Sequence, residues 1–478
     1  MGRLPIWVFV YLAACTSPKD FGAVAAVPGE ACADIGRTES CYTGPEGSLG
    51  VGVCFAGTTT CTWELVWSTC EGQHLPDADQ DNCTGDVDDD CDGTVDEGPD
   101  YDGDGWGVCE GDCCDDTSCA ADPTRVNPGA FEADANILDD DCDGTIDNVD
   151  PGCTAGDPAD DPTDAMAFAQ ALDLCRTTTA EAEGIKQRWG VISATLTRAD
   201  GGPLPTLDQA AIRGQFGVNQ PRFGDSLVVL ATGPAGDRAD PVFQPWQDGT
   251  DVQGGGDDGS VPSSWLTANG GKFPSAPGCP PALSVQVNDP VMLTLKIRVP
   301  TNANSFNISS NFFSAEYPEY VCTEFNDIFI MLLTSSYRGQ PANPRDGNLA
   351  IYTDAEDRTF PVGVNLAQGT GLFQQCVNGT TGCAGQVSGV ATGCVSQADL
   401  AGTGFDEPGV ACGDPGSVVG GGTGWLNTRG NVTPGEIITL RIAVWDTSDA
   451  LFDSAALIDS FQWNIDPTTP GTGEVPPL

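Results

Sequence analysis

Along residues 291–299, apolar and polar side chains trade places one by one. Val291, Leu293, Leu295, Ile297 and Val299 share one parity, with Met292, Thr294, Lys296 and Arg298 between them. A period of two predicts a strand with one buried face. Phe306, Ile308 and Phe312 keep one parity after a turn at 300–304. Ile438, Leu440, Ile442 and Val444 alternate again, and 457–465 reads as a last strand. Residues 328–333 are apolar throughout, the pattern of a central strand buried on both faces. Short strands separated by Gly, Pro and Asn turns predict a mainly β fold, a β-sandwich of jelly-roll-like type over 184–466. Upstream the period changes: Met166, Ala169, Leu172 and Cys175 recur every three residues. With Thr163 or Asp164 as cap, they predict a helix reaching Arg176 within a linker at 154–183. The glycine runs 254–256 and 420–422 lack the Lys-Ser/Thr and following helix of a phosphate cradle, so they read as loops.

The N-terminal pattern is different. Arg3 precedes an apolar run at 6–12, too short to span a bilayer, so 1–14 reads as an export signal. Leu12-Ala13-Ala14-Cys15 resembles the bacterial lipobox, which implies lipidation at Cys15. By resemblance to Gram-negative lipoproteins, Thr16 rather than Asp at the next position implies the outer membrane. The expected localisation is therefore lipid-anchored at the outer membrane, touching the membrane through the lipid alone. Residues 15–30 read as a tether and 467–478 as a tail.

Cysteines sharpen this reading. The chain has 21, with no Cys-x-x-Cys pair. That usage fits disulfides in an oxidising compartment, and setting Cys15 aside leaves an even 20. Cys32, Cys41, Cys54, Cys61 and Cys70 define a module at 31–75 too small for a core of its own. Strands are expected at 51–53 and 63–67. Five is odd, so one partner is expected outside the module, with Cys83 the nearest choice.

The formal net charge of −50 excludes a nucleic-acid backbone as partner, since such a surface repels phosphates. Half of this charge sits at 76–153, with 26 Asp and Glu against one base, Arg125. The spacing there is not that of a random acidic tail. Asp88, Asp90 and Asp92 stand at alternate positions before Gly93, followed by Thr94 and Asp96. Asp100, Asp102 and Asp104 precede Gly105. Asp139, Asp141 and Asp143 precede Gly144, followed by Thr145 and Asp147. This is the oxygen-ligand order of a calcium loop, with glycine at the sharp turn. A bidentate Glu at position 12 is missing from the outer loops, so a closing ligand must come from elsewhere. Asp112, Asp115 and Asp116 are the candidates. Oxygen-only donors select Ca2+ over softer-ligand metals. Asp77, Asp79 and Asp81 form a weaker fourth set. The chain thus reads as a disulfide-rich, loop-dominated, acidic calcium-binding stalk preceding the sandwich.

Two resemblances add to this. Asp-Asp-Asp-Cys-Asp-Gly, Asp-x-Asp-Gly-Asp-Gly, Gly111-Asp112-Cys113, Asn127-Pro128-Gly129-Ala130 with Glu132, and a second Asp-Cys-Asp-Gly resemble the MopE-type metal-binding repeat; the loops are also similar to thrombospondin type 3 loops. Cys113-Cys114 departs from that family's single cysteine. Copper is not carried over, because the one histidine, His74, lies outside the loops. Residues 311–321, Asn-Phe-Phe-Ser-Ala-Glu-Tyr-Pro-Glu-Tyr-Val, with Phe325-Asn326-Asp327, resemble choice-of-anchor L domains. So do Pro434-Gly435-Glu436 and the Asp446, Asp449, Asp453-Ser454 block. The resemblance implies surface display and lends no reaction. Ala315 stands where that family often has Glu.

Glu316, Glu319, Asn326 and Asp327 form a second acidic grouping, read as a calcium site or a loop cap rather than a glycosidase pair. No histidine is placed for a Ser-His-Asp triad. Trp425, Trp445 and Trp463 read as core before sugar platform. The sequence therefore predicts a non-enzymatic, calcium-stabilised surface lipoprotein presenting an adhesion or display domain to a surface glycan or another surface protein. The alternative is a surface hydrolase or carbohydrate-binding protein acting on polysaccharide.

Overall fold

A computed structural model describes residues 26–76, 87–95, 100–148, 164–181, 188–254, 259–377, 394–411 and 413–475. The export signal, Cys15, most of the tether, the Asp77–Asp81 set, Cys83 and Asp96 fall outside these residues. The chain divides into two compact units, Met1–Asp115 and Asp116–Leu478. The acidic segment is therefore shared: two aspartate loops belong to the first unit and the third to the second.

The first unit is held by cross-links more than by a core. β1 (Thr38–Cys41) and β2 (Gly57–Thr60) pair antiparallel. Cys32–Cys61 and Cys41–Cys70 fasten this hairpin. The partner of Cys54 is Cys91, in the first aspartate loop, and not Cys83. No strand forms at 51–53, and at 63–67 pairing is limited to isolated bridges, Val66 with Ala31 and Trp67 with Cys61. Gly52 (φ 48°) and Leu65 (φ 58°) are left-handed, which turns the chain at each place. The Val51 N–H donates to the Ser48 carbonyl, and the Leu65 N–H to that of Thr62.

The second unit is a β-sandwich. Its strands are β3 (Gly190–Thr197), β4 (Ala210–Arg213), β5 (Leu227–Ala231), β6 (Val287–Arg298), β7 (Ser305–Ser314) and β8 (Ile328–Thr334). There follow β9 (Ile351–Thr353), β10 (Thr359–Pro361), β11 (Gln375–Cys376), β12 (Glu407–Ala411) and β13 (Asp414–Val419). The last are β14 (Gly421–Asn431), β15 (Ile437–Thr447), β16 (Ser454–Asn464) and β17 (Gly471–Glu474). One sheet runs β3-β6-β15-β8. The other runs β11-β14-β7-β16-β5-β4, with β17 on β14. Every pairing within these two sheets is antiparallel.

Val291, Leu293, Leu295 and Ile297 meet Phe306, Ile308 and Phe312 in the core between the sheets. Each outer face is covered as well. Ile328, Ile330 and Leu332 pack with Trp265, Met292 and Trp445 beneath the short helix α2 (Ser263–Ala268). Leu227, Val229, Phe313 and Leu457 pack with Phe216, Trp246 and Phe405. This explains the apolar run at 328–333, although β8 lies at the sheet edge rather than its centre. Its outer edge is closed by loops: Leu333 and Phe329 donate to the Gly347 and Val362 carbonyls, and Leu349 donates to Met331.

The helix α1 (Ala165–Gln170) is shorter than its pattern predicts. Asp164 caps it, its carboxylate accepting the Met166 N–H at 3.0 Å. Asp173 is left-handed (φ 67°), and the Leu174 N–H folds back onto the Ala169 carbonyl. That ends the helix before Arg176. The glycines at 420–422 are not a loop: Gly421 and Gly422 begin β14, and a side chain at Gly421 would meet Phe373 and Tyr317 within 3.0 Å.

Candidate metal centre

Each aspartate loop is built by one hydrogen-bond scheme, repeated three times. The first-position carboxylate accepts the glycine N–H: Asp88 from Gly93 at 3.1 Å, Asp100 from Gly105 at 3.0 Å, Asp139 from Gly144 at 3.0 Å. The third-position carboxylate accepts the fifth-position N–H: Asp90 from Asp92, Asp102 from Asp104, Asp141 from Asp143. The fifth-position carboxylate accepts the seventh-position N–H: Asp92 from Thr94, Asp104 from Trp106, Asp143 from Thr145. Positions four and six are left-handed in every copy. They are Cys91 and Gly93, Gly103 and Gly105, and Cys142 and Gly144. A chain of Asx turns winds the carboxylates together, whereas alternate positions of an extended strand would share a face but stand roughly 6–7 Å apart.

The result is three groups whose ligand oxygens lie within 4.8 Å of one another: Asp88, Asp90 and Asp92; Asp100, Asp102 and Asp104; Glu132, Asp139 and Asp141. A fourth group joins Asp102 to Asp112 and Asp115. Two of the three residues considered as closing ligands thus reach the middle loop, while Asp116 is exposed and accepts the Ser118 N–H. Four carboxylate oxygens here, on Asp88, Asp102, Asp112 and Asp115, are buried without a hydrogen-bond partner. Buried anionic oxygens left without donors are costly unless a cation meets them. Burial pushes Asp112 up to about 6 and also raises Asp102. This all-oxygen donor set fits calcium.

The third loop departs from the expected ligands. Asp143 and Asp147 are not in its group. Asp143 is exposed and holds the Asn148 amide, which lowers its pKa. Asp147 accepts the N–H groups of Asn136 and Ile137. Glu132 takes the inward place instead, accepting the N–H groups of Asp140 and Asp147, and burial pushes it up to about 7. The signal for Glu132 lay in the repeat resemblance, not in loop spacing. Arg176 also binds Asp141 at 2.5 Å and lies over the Trp189 ring.

In the sandwich, Glu316 and Asp327 are buried while Glu319 is partly exposed. Asn326 caps a loop, accepting the Asn365 N–H at 2.7 Å. Asp327 accepts from the Thr447 N–H and the Ser454 hydroxyl, and burial pushes it up to about 7. Trp445 is core, and Trp425 is partly buried beside Arg222. Trp463 borders a cleft of about 1200 Å3, together with Trp189, Phe223, Asn307, Asn427 and Arg429. Among the described residues all cysteines are disulfide-bonded, including Cys113 and Cys114.

Residues 282–462 match the model of the choice-of-anchor L domain. The match takes in nearly all of β6 to β16, while β3, β4 and β5 of the same two sheets precede it. That domain family is not an enzyme family, and its presence suggests a surface-associated, β-rich protein. No curated protein and no solved structure matches the chain. No helix among the described residues is long and apolar enough to cross a membrane.

Proposed function

We propose that this protein is a calcium-stabilised surface lipoprotein. In this reading Cys15 bears the lipid, the aspartate loops bind Ca2+, and the β-sandwich is displayed to a glycan or a protein at the cell surface. The observation that carries the calcium reading is the fourth carboxylate group, where Asp112 and Asp115 come from outside the middle loop to meet Asp102 with buried, donorless oxygens. Hard oxygen donors on irregular loops suit calcium's variable coordination better than magnesium's strict octahedron. Calorimetric titration of the chelator-stripped chain should show heat with affinities of roughly 10⁻⁴–10⁻³ M, the range of extracellular calcium modules. Absence of heat at millimolar calcium would remove this reading. Separately, Cys15→Ala should move the protein from the membrane to the soluble fraction.

A second reading, saccharide binding without turnover, is favoured by the cleft beside Trp463. Indole, amide and guanidinium groups there suit a hydroxyl-rich ligand. Binding on a glycan panel that is weakened by Asn427→Ala would support it.

A further inference from the structure

The sandwich buries a group of carboxyls that neither the aspartate loops nor the cleft beside Trp463 includes. Asp289, Glu316, Asp327, Asp446 and Asp453 are each at most 1% exposed. They come from different elements. Asp289 is on β6, Glu316 follows β7, Asp327 precedes β8, Asp446 is on β15 and Asp453 precedes β16. Among the described residues, Glu316, Asp327, Asp446 and Asp453 make no ion pair with an arginine or lysine. Burial first, then the charges of Asp327 and Asp453, and more weakly that of Asp289, raise the pKa of Asp446.

Part of this charge is tied down by hydrogen bonds. Asp327 accepts from Thr447 and Ser454, Asp453 accepts the Thr250 N–H at 3.2 Å, and Asp289 accepts the Gln253 N–H at 2.7 Å. Asp446 is different. Neither of its oxygens receives a hydrogen bond of normal geometry, and it is fully buried. One oxygen of Asp453 and one of Glu316 are likewise buried without a donor, as is the Thr447 hydroxyl. The ladder is also broken here. The β6–β15 register shifts between Val444 and Asp446, and such bulges re-aim side chains. The extra residue lies on β6, where Asp289 and Pro290 stand opposite Trp445 alone and Asp289 is left-handed (φ 46°).

Unpaired carboxylates in a dry interior cost several kcal/mol each unless protons or a cation compensate them. Every donor present is oxygen, and no histidine or thiolate is near, which excludes the softer metals. We propose that the sandwich holds a divalent cation site of its own, filled by calcium, with Asp446 as central ligand and Asp327 and Asp453 beside it. Calcium tolerates an irregular shell of carboxylate, hydroxyl and carbonyl oxygens, all of which these loops offer. The three carboxylates stand further apart than those of the aspartate loops, which alone form tight groups of three among the described residues. The ion would draw them inward and so fasten the starts of β8 and β16 to the end of β15. Such a clamp is independent of the aspartate loops, in ligands and in consequence.

The test uses the full chain, stripped with chelator and titrated with calcium alone. In the background Asp88→Asn/Asp102→Asn/Asp112→Asn/Asp139→Asn, which removes a ligand from each loop and two from the group of Asp102, Asp112 and Asp115, one calcium per chain should remain bound. Adding Asp446→Asn should weaken that ion roughly 100-fold or more, as expected on loss of a buried charged ligand. Thermal unfolding gives a second readout that survives a folding defect. In the loop-variant background, calcium should raise the melting midpoint of the sandwich. Asp446→Asn should abolish that rise, while raising the midpoint in chelator by relieving repulsion. No calcium-dependent rise in the loop variant overturns the proposal. So does an Asp446→Asn midpoint that increases equally with and without calcium, which would mark the cluster as carboxyls kept neutral by protons.

Discussion

At the scale of single residues, the left-handed positions of the aspartate loops decide most. Gly144 has φ 94° and open space where a Cβ would stand. Alanine there meets no clash, so any loss comes from the backbone alone. The cost of a left-handed L-residue is roughly 1–2 kcal/mol. Gly144→Ala should weaken calcium at the third loop by about 5–30-fold, with the middle loop unchanged in the same isotherm. Asp173 offers a second residue-scale outcome. Burial, then the nearby Asp459, pushes it up to about 7, and Asp459 itself is raised to about 6, by burial first. A carboxyl whose pKa is raised on folding binds its proton more tightly in the folded state. Its contribution is therefore full below the unfolded pKa near 4 and is lost as pH rises through the folded value. Melting midpoints taken in chelator should fall between about pH 4 and pH 7. Asp173→Asn should flatten that slope and raise the midpoint at pH 8. Asparagine also suits the left-handed backbone that Asp173 adopts, so the variant adds no strain.

At the scale of elements, the third loop depends on its support from the sandwich unit. Asn302, buried in the turn between β6 and β7, exchanges two hydrogen bonds with Phe131: it accepts the Phe131 N–H at 2.9 Å and donates to its carbonyl at 2.8 Å. The Thr301 hydroxyl donates to the side-chain carbonyl of Asn127 at 2.6 Å. Asn302→Ala leaves a buried N–H and carbonyl unpaired, a loss of about 1–3 kcal/mol. Hydrogen exchange should then quicken across 127–141 while β6 and β15 stay protected. This docking could not be read from the chain, because it joins residues about 170 positions apart. The alternation at 291–299 and 438–444 was legible, because a strand with one buried face writes its period into the sequence. The run at 328–333 showed its double burial but not its edge position, since loops rather than a strand close its outer side. The loop carboxylates were legible from spacing as far as the middle loop. In the third, Glu132 groups with Asp139 and Asp141, while the N–H groups of Asn136 and Ile137 engage Asp147 and the Asn148 amide engages Asp143. The helix ended early for a similar local reason, at the left-handed Asp173.

At the scale of the whole molecule, charge is the dominant feature. The segment 76–153 has a net charge of −25, and one divalent ion at each of three loops would supply only +6. Calcium therefore cannot neutralise the segment. In the proposed reading it would act by meeting specific donorless oxygens, such as those of Asp102, Asp112 and Asp115, at short range. Diffuse screening and specific ligation make different predictions. At physiological ionic strength the Debye length is about 8 Å, and added monovalent salt shortens it further. If general repulsion alone opened the segment, high sodium chloride would protect it as well as calcium does. If ligation holds it, salt cannot replace the ion. Limited proteolysis of the chelator-stripped chain should cut within 87–148 at least ~10-fold faster than the calcium-loaded chain, with local opening governing the rate. Millimolar calcium should restore protection, and 0.5 M sodium chloride without calcium should not. The disulfide Cys54–Cys91 keeps the first loop joined to the β1–β2 module in both states, so the fragments there should separate only after reduction. Equal protection by salt and by calcium would mean that the loops are merely acidic, whatever their spacing.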